Sequence, residues 1–333
     1  MRFTGVGSMP GEDYAEALRL IVGEVAEEPG LPFVPELPAR GVAAGMVGRA
    51  LALVPDLGVD LQPAGWRLTG STATSGVDHR RARSLLAQDL DGVEEAFGAY
   101  AGPLKTQVAG PWTLAATVER PRGDKLLADH GARRDLAQAL AEGVTQHVRD
   151  LRRRIAGLTT LIVQIDEPVL AAVLGARVPT ASGFGRHRSI DRPELTEALG
   201  WVLAAVAGAG AEPWVHSCEG DAPLDLVRMA GSRGLVVDLA RVGAPGYDVL
   251  AEALEAGESV GLGVVPSTDP GVAAPTATAL AERVLRWLDM MGLDPESVGD
   301  RVVITGSCGF AGASPSWMRQ ALALARDGAR NLQ

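Results

Sequence analysis

His216 and Cys218 stand two residues apart in VHSCEG, and Cys308, the only other cysteine, lies far downstream in TGSCGF. In an extended segment, side chains two positions apart share a face, so one strand end can offer an imidazole and a thiolate to the same ion. Zinc accepts His, Cys and carboxylate ligands in a tetrahedron. With Asp238, at the end of GLVVD, as the candidate fourth ligand, His216, Cys218 and Cys308 complete such a set. Two plainer readings stand beside it: a core histidine next to a buried thiol, and a disulfide, which a cytosolic setting disfavours. Asp166 and Glu167 close the apolar run before Pro168 in QIDEP. Adjacent carboxylates are costly to desolvate, so these should face a polar cleft, a metal or a cation, unless they only begin a loop. Glu36, in PELPARG, is a further acid that can equally pair with Arg40. Trp112, after a Gly-Pro pair, can wall a planar ligand or plug the top of a core. His79, His130, His147 and His187 fall in predicted loops or on polar helix faces and read as solvated.

Strand-like runs that could position these residues are predicted at 2–8, 32–36, 104–110, 160–167, 212–218, 234–240, 259–265 and 301–309. Between them lie segments of helical period, beginning with one whose apolar positions are Ala17, Leu18, Ile21 and Val25. Further helices are predicted at about 43–53, 80–99, 130–156, 193–208, 223–231, 246–256, 276–291 and 315–329, the last with Ser314 and Pro315 as N-cap and first residue. The Gly-, Ser- and Thr-rich stretch 55–80 reads as an irregular excursion with one hairpin. Eight β/α units point to an α/β chain folded as a single (β/α)8 TIM barrel over 1–333, with polar and small residues at the carboxyl ends of its strands, where such barrels build their sites. An open dinucleotide-binding sheet fits less well: the glycines of GVGSMPG are spaced G-x-G-x-x-x-G, which is not the fingerprint of that fold.

Composition narrows the function further. At 333 residues, 47% hydrophobic and 22% charged, the chain can bury a sizeable core. A formal net charge of -10 and the absence of any basic stretch speak against nucleic acid as a partner. No window approaches the roughly 18 apolar residues a membrane span needs, and MRFTGVGSMPGEDY lacks the charged-then-apolar pattern of a leader, so a cytoplasmic protein is expected.

At the residues named above the sequence resembles the carboxyl-terminal catalytic barrel of the cobalamin-independent methionine synthase family, in one order through nearly the whole chain. GVGSMP (5–10) is similar to the family's opening glycine-serine turn, which implies that the backbone of Gly7 and Ser8 receives the homocysteine carboxylate. Glu36 stands at the place of a glutamate that binds the amino group, and Asp166 in QIDEP matches the amino-acid-binding aspartate. AGPWT (109–113), with Trp112, resembles a glycine-proline turn near the folate, and the H-x-C and late S-C-G segments match zinc-ligand positions. The resemblance implies a zinc enzyme that activates the homocysteine thiol for methyl transfer from a polyglutamylated methyltetrahydrofolate.

Three departures sharpen that expectation. The family's duplicated amino-terminal barrel has no counterpart here, which resembles a short, core-only form. The family's fourth zinc ligand is a glutamate, where this chain has Asp238. The family's proton-donating histidine has no match in VVPSTDP (264–270), where Asp269 or Ser267 would have to serve. A methylcobamide, which needs no proton on its leaving group, is therefore a second candidate donor. Two other functions remain open at this stage: zinc-dependent methylation of a different thiol, and a non-catalytic zinc barrel that binds a sulfur metabolite. The sequence says nothing of oligomeric state.

Overall fold

β-Branched and leucine-rich runs, closed by glycine or by a carboxylate, form the strands of this protein. The computed structural model describes residues 1–54, 57–69, 76–271 and 273–332. Its strands are β1 (Arg2–Phe3), β2 (Val59–Gln62), β3 (Gly65–Leu68), β4 (Gly102–Ala109), β5 (Leu158–Asp166), β6 (Glu212–Ser217), β7 (Gly234–Asp238), β8 (Ser259–Val265) and β9 (Val302–Gly306). Seven of them form one parallel sheet in the order β1-β9-β8-β7-β6-β5-β4. Sequential parallel neighbours joined through helices make an α/β fold, consistent with a TIM-like barrel.

The run at 32–36 is not a ladder strand, because Pro32 and Pro35 have no N–H to donate. Its remaining groups pair on both sides instead. Leu31 N donates to Phe3 O and Met9 N to Glu36 O, while Val34 N donates to Lys105 O and Lys105 N to Pro32 O. Segment 30–36 thus joins the two edge strands, β1 and β4. β1 is shorter than the predicted 2–8, although Ser8 still bridges Glu36.

Two apolar layers hold the assembly. Between sheet and helices lies the large core, exemplified by Leu195, Leu199, Val202 and Val206 on helix Arg192–Gly208. Inside the sheet lies a separate small cluster, Leu31, Ile162, Trp214, Val236 and Val303. Trp214 fits there because its neighbour in register is Gly234, where a Cβ would stand 2.5 Å from the indole. Asp13, Asp129, Asp191, Thr276 and Ser314 each cap a helix by accepting an N–H three residues on.

The excursion does hold one hairpin, β2 with β3, but residues 55, 56 and 70–75 lie outside the described residues, and a helix already begins at Val77. Short helices Pro111–Thr117 and Leu170–Leu174, not expected from the sequence, follow β4 and β5 directly. His79, His147 and His187 are buried rather than solvated: His79 Nε2 faces Leu51 O, His147 Nε2 lies 3.5 Å from Thr106 Oγ1, and His187 Nε2 lies 3.1 Å from Asp124. Burial lowers His147 to about 4. No described helix is long and apolar enough to cross a membrane.

Candidate active site

Strand periodicity puts alternate residues of β4 to β7 inside the sheet, and these positions turn from apolar to polar toward the carboxyl ends. Above Ile162 and Trp214 sits a buried polar layer. Lys105 Nζ donates to Val6 O (2.7 Å) and to Gln164 Oε1 (3.1 Å), and Gln164 Nε2 donates to Val6 O and to Asp166 Oδ1 (2.7 Å). Lys105 is fully buried, and burial lowers it to about 8 against the pull of Asp166 and Glu36. Lys105, Gln107 and Gln164 were not singled out from the sequence. The signal was nonetheless there: polar residues at 105, 107, 164 and 166, two apart, inside otherwise apolar strands.

The next layer up is a cavity of about 370 Å³, lined by Gly7, Ser8, Glu36, Gln107, Asp166, His216, Cys218 and Cys308, among others. Asp166 and His216 are register partners on β5 and β6, which is why they meet. Burial raises Asp166 above the usual carboxylate range, and the nearby His216 works against that rise. Burial also raises Glu36, to about 7, opposed by the Arg49 guanidinium and reinforced by Asp166. The two acids thus share one pocket, with the buried lysine beneath them.

Glu36 does not pair with Arg40. Arg49 Nε lies 3.5 Å from Glu36 Oε1, while both arginines converge on Asp89, Arg49 at 2.5 Å and Arg40 at 2.7 Å. Glu167 leaves the cleft to its neighbour. It is fully buried and accepts from Trp112 N, Thr113 N and Thr113 Oγ1, which makes it the cap of helix Pro111–Thr117. Trp112 is buried in the core with its indole N–H on Leu195 O, the plug rather than the wall.

His216, Cys218 and Cys308 offer three ligand atoms within 4.8 Å of one another. The two Sγ atoms are 3.4 Å apart, far longer than a disulfide and close to the roughly 3.8 Å edge of a tetrahedron built on Zn–S bonds of about 2.3 Å. His216 Nδ1 faces the Val236 carbonyl at 3.1 Å. A carbonyl only accepts, so Nδ1 carries the proton and the Nε2 lone pair is left for a ligand bond. The two thiols share a hydrogen bond, which lowers Cys308 to about 7 and raises Cys218 to about 12. Two soft donors and a correctly tautomerised imidazole fit zinc. The Cys308 loop reaches the site because Gly309 lies against Ser8: a Cβ there would be 2.0 Å from Ser8 Oγ.

Two candidate residues stand apart. Asp238 ends β7, and its carboxylate accepts from Ala240 N at 3.0 Å; it is not part of the three-atom group. Asp269 is exposed, accepts from Ser314 N at 2.7 Å, and does not line the cavity. Ser267 Oγ instead meets Ser307 Oγ at 3.2 Å, one residue before Cys308.

Residues 101–331 match the family model of the cobalamin-independent synthase catalytic domain. The matched part holds Asp166, His216, Cys218, Asp238 and Cys308; Gly7, Ser8 and Glu36 lie before it. No curated protein sequence matches the chain. Among solved structures, a B12-independent methionine synthase from Shewanella sp. W3-18-1, in complex with selenomethionine, superposes with a TM-score of 0.63 at 15% identity over 99% of this chain and 97% of that one. A 3-keto-D-glucoside 4-epimerase from E. coli reaches a TM-score of only 0.39 at 16% identity over 73% of this chain and 86% of that one. The fold agrees with the first of these, and the match over residues 101–331 spans more than half the sequence: the chain belongs to the cobalamin-independent methionine synthase family, through that family's catalytic domain.

Proposed function

We propose that this protein, one (β/α)8 barrel over 1–333, transfers a methyl group to the thiol of homocysteine to make methionine. Membership of the family supports methyl transfer to homocysteine. The observation that carries the reading is one cavity whose lining offers two chemistries, a His-Cys-Cys group and the acids Glu36 and Asp166. An amino acid with a terminal thiol has the matching pair of groups, an ammonium and a sulfur, at its two ends.

Glu36 and Asp166 hold the ammonium, and Gln164 fixes the Asp166 carboxylate through its 2.7 Å hydrogen bond. The substrate carboxylate takes the backbone beside Gly7 and Ser8. A zinc ion held by His216, Cys218 and Cys308 would supply a Lewis acid that keeps the incoming thiol deprotonated near neutral pH. The cavity walls exclude water and hold the sulfur in line with the methyl carbon, so that the S–C bond forms as the donor's bond to methyl breaks. The donor is a methyltetrahydrofolate or a methylcobamide. Asp269, tied to Ser314, is left out of this machinery, and Asp238, outside the three-atom group, is the candidate fourth ligand.

A catalytic zinc exchanges or adds a ligand when substrate binds, whereas a structural one stays closed. Zinc-edge absorption spectra of the loaded protein should therefore change when homocysteine is added, gaining a sulfur ligand. An unchanged spectrum at saturating homocysteine would mean a structural site.

The acids also predict a pH dependence. The pKa of Glu36 is raised, so below about 7 its carboxyl is protonated and an incoming ammonium must displace that proton. Methionine affinity should rise with pH, by up to about tenfold per unit below 7, and level off above it. Glu36→Gln should bind more weakly and lose that slope; a slope that persists in Glu36→Gln would assign it to another group.

A further inference from the structure

At the ammonium end of the cavity, Glu36 belongs to a cluster of four buried or half-buried charges whose other three members, Arg40, Arg49 and Asp89, take no part in the reaction itself. Arg49 reaches Asp89 at 2.5 Å through Nη1, while its Nε stands 3.5 Å from Glu36, at the outer limit of a hydrogen bond. Arg40 closes on the other Asp89 oxygen at 2.7 Å. Glu36, Arg49 and Asp89 are each more than nine-tenths buried. Two guanidiniums and two carboxylates balance, but the contacts do not: Asp89 takes the short ones from both arginines and Glu36 takes a single long one.

We propose that Asp89 is a positioning residue that sets the cavity's selectivity for an amine, by holding Arg49 back from Glu36. This rests on the reading of Glu36 as an ammonium site. Left alone with a buried carboxylate, a guanidinium closes into a paired, two-bond contact that uses the oxygens an ammonium would need. In a low-dielectric surrounding that contact would also cancel the charge that attracts the amine. Asp89 prevents both. It comes from helix Val77–Phe97 and Arg49 from helix Met46–Leu53, so two helices outside the sheet tune a residue inside the cavity. Other groups face the cluster: Tyr14, whose ring lies 5.1 Å from the Arg40 guanidinium, Lys105, Asp166 and Gln107, which act on Glu36 from within the sheet, and His147, which feels the Arg49 charge.

The test compares methionine with 4-(methylsulfanyl)butanoate, which is the same molecule without the amine, by calorimetric titration of the full chain as purified, under reducing conditions and with metal content measured. Wild-type protein should prefer methionine. Asp89→Asn should lower that preference at least tenfold, chiefly through weaker methionine binding. Because Asp89→Asn leaves buried Arg49 and half-buried Arg40 facing one acid and can fail to fold, the double variant Asp89→Asn with Arg40→Gln keeps the charges of the cluster balanced. It should lose the preference to a similar extent, since Arg49 is released in both. A wild-type preference that survives in either folded variant overturns the proposal, as does an equal weakening of both compounds, which marks a merely structural role. A wild-type protein with no preference for methionine overturns the ammonium-site reading itself, and the proposal with it.

Discussion

Cys308→Ser and His216→Ala should each empty the metal site and stop methyl transfer together. The three ligand atoms lie within 4.8 Å of one another, and among the described residues no fourth His, Cys, Asp or Glu joins that group. Changes outside a ligand set typically weaken metal binding by about 10–100-fold, and loss of a ligand itself should exceed that. Activity should fall at least a hundredfold, about 2.7 kcal/mol of transition-state stabilisation, because a neutral thiol is a far poorer nucleophile than a thiolate. Metal content by mass spectrometry and methionine formation are the two readings. Both variants retaining stoichiometric zinc would remove His216 and Cys308 from the site.

The second large effect concerns stability. Glu167→Ala should lower stability by about 3 kcal/mol, because it strips three hydrogen bonds from a fully buried helix start and leaves two backbone N–H groups without partners. For a chain of 333 residues that corresponds to a fall in Tm of roughly 4 °C. Glu167→Gln, which keeps an acceptor oxygen, should lose less. Methionine affinity should change little in either. A variant with unchanged Tm and lost methionine binding would return Glu167 to the cleft, where the sequence pattern had suggested it.

The fate of the QIDEP pair shows what a single sequence can and cannot reveal. Period-two alternation requires that Asp166 and Glu167 face opposite ways, and it places the side chain of Asp166 with Gln164 and Ile162, inside. What Glu167 would find on the other side depended on helix Pro111–Thr117, which is too short to announce itself by periodicity. The same limit explains His147, whose helix face is buried against β4 rather than wet. Local patterns read well: the H-x-C pair, the Ser314 cap and the strand β8 stand as expected. Contacts across 40 or more residues, such as Arg49 and Arg40 on Asp89, carry no such pattern, and there the simpler pairing of Glu36 with nearby Arg40 was misleading.

Proline set the other boundary of legibility. A run with two prolines looked like a strand because it is apolar and extended, and it occupies a strand's place between β1 and β4. It cannot form a continuous ladder, since two of its N–H groups do not exist. That irregular stretch ends at Glu36, and irregular backbone at the end of a sheet is where a fold can aim a side chain into a cavity.

Zinc-loaded protein should be incubated with homocysteine and, in separate reactions, methyltetrahydrofolate polyglutamate or methylcobalamin, with methionine quantified by mass spectrometry. Methionine should form with one of the two donors and disappear in Cys308→Ser. No methionine from either donor, with zinc bound in full, would contradict homocysteine methylation and point to another thiol or to binding without catalysis.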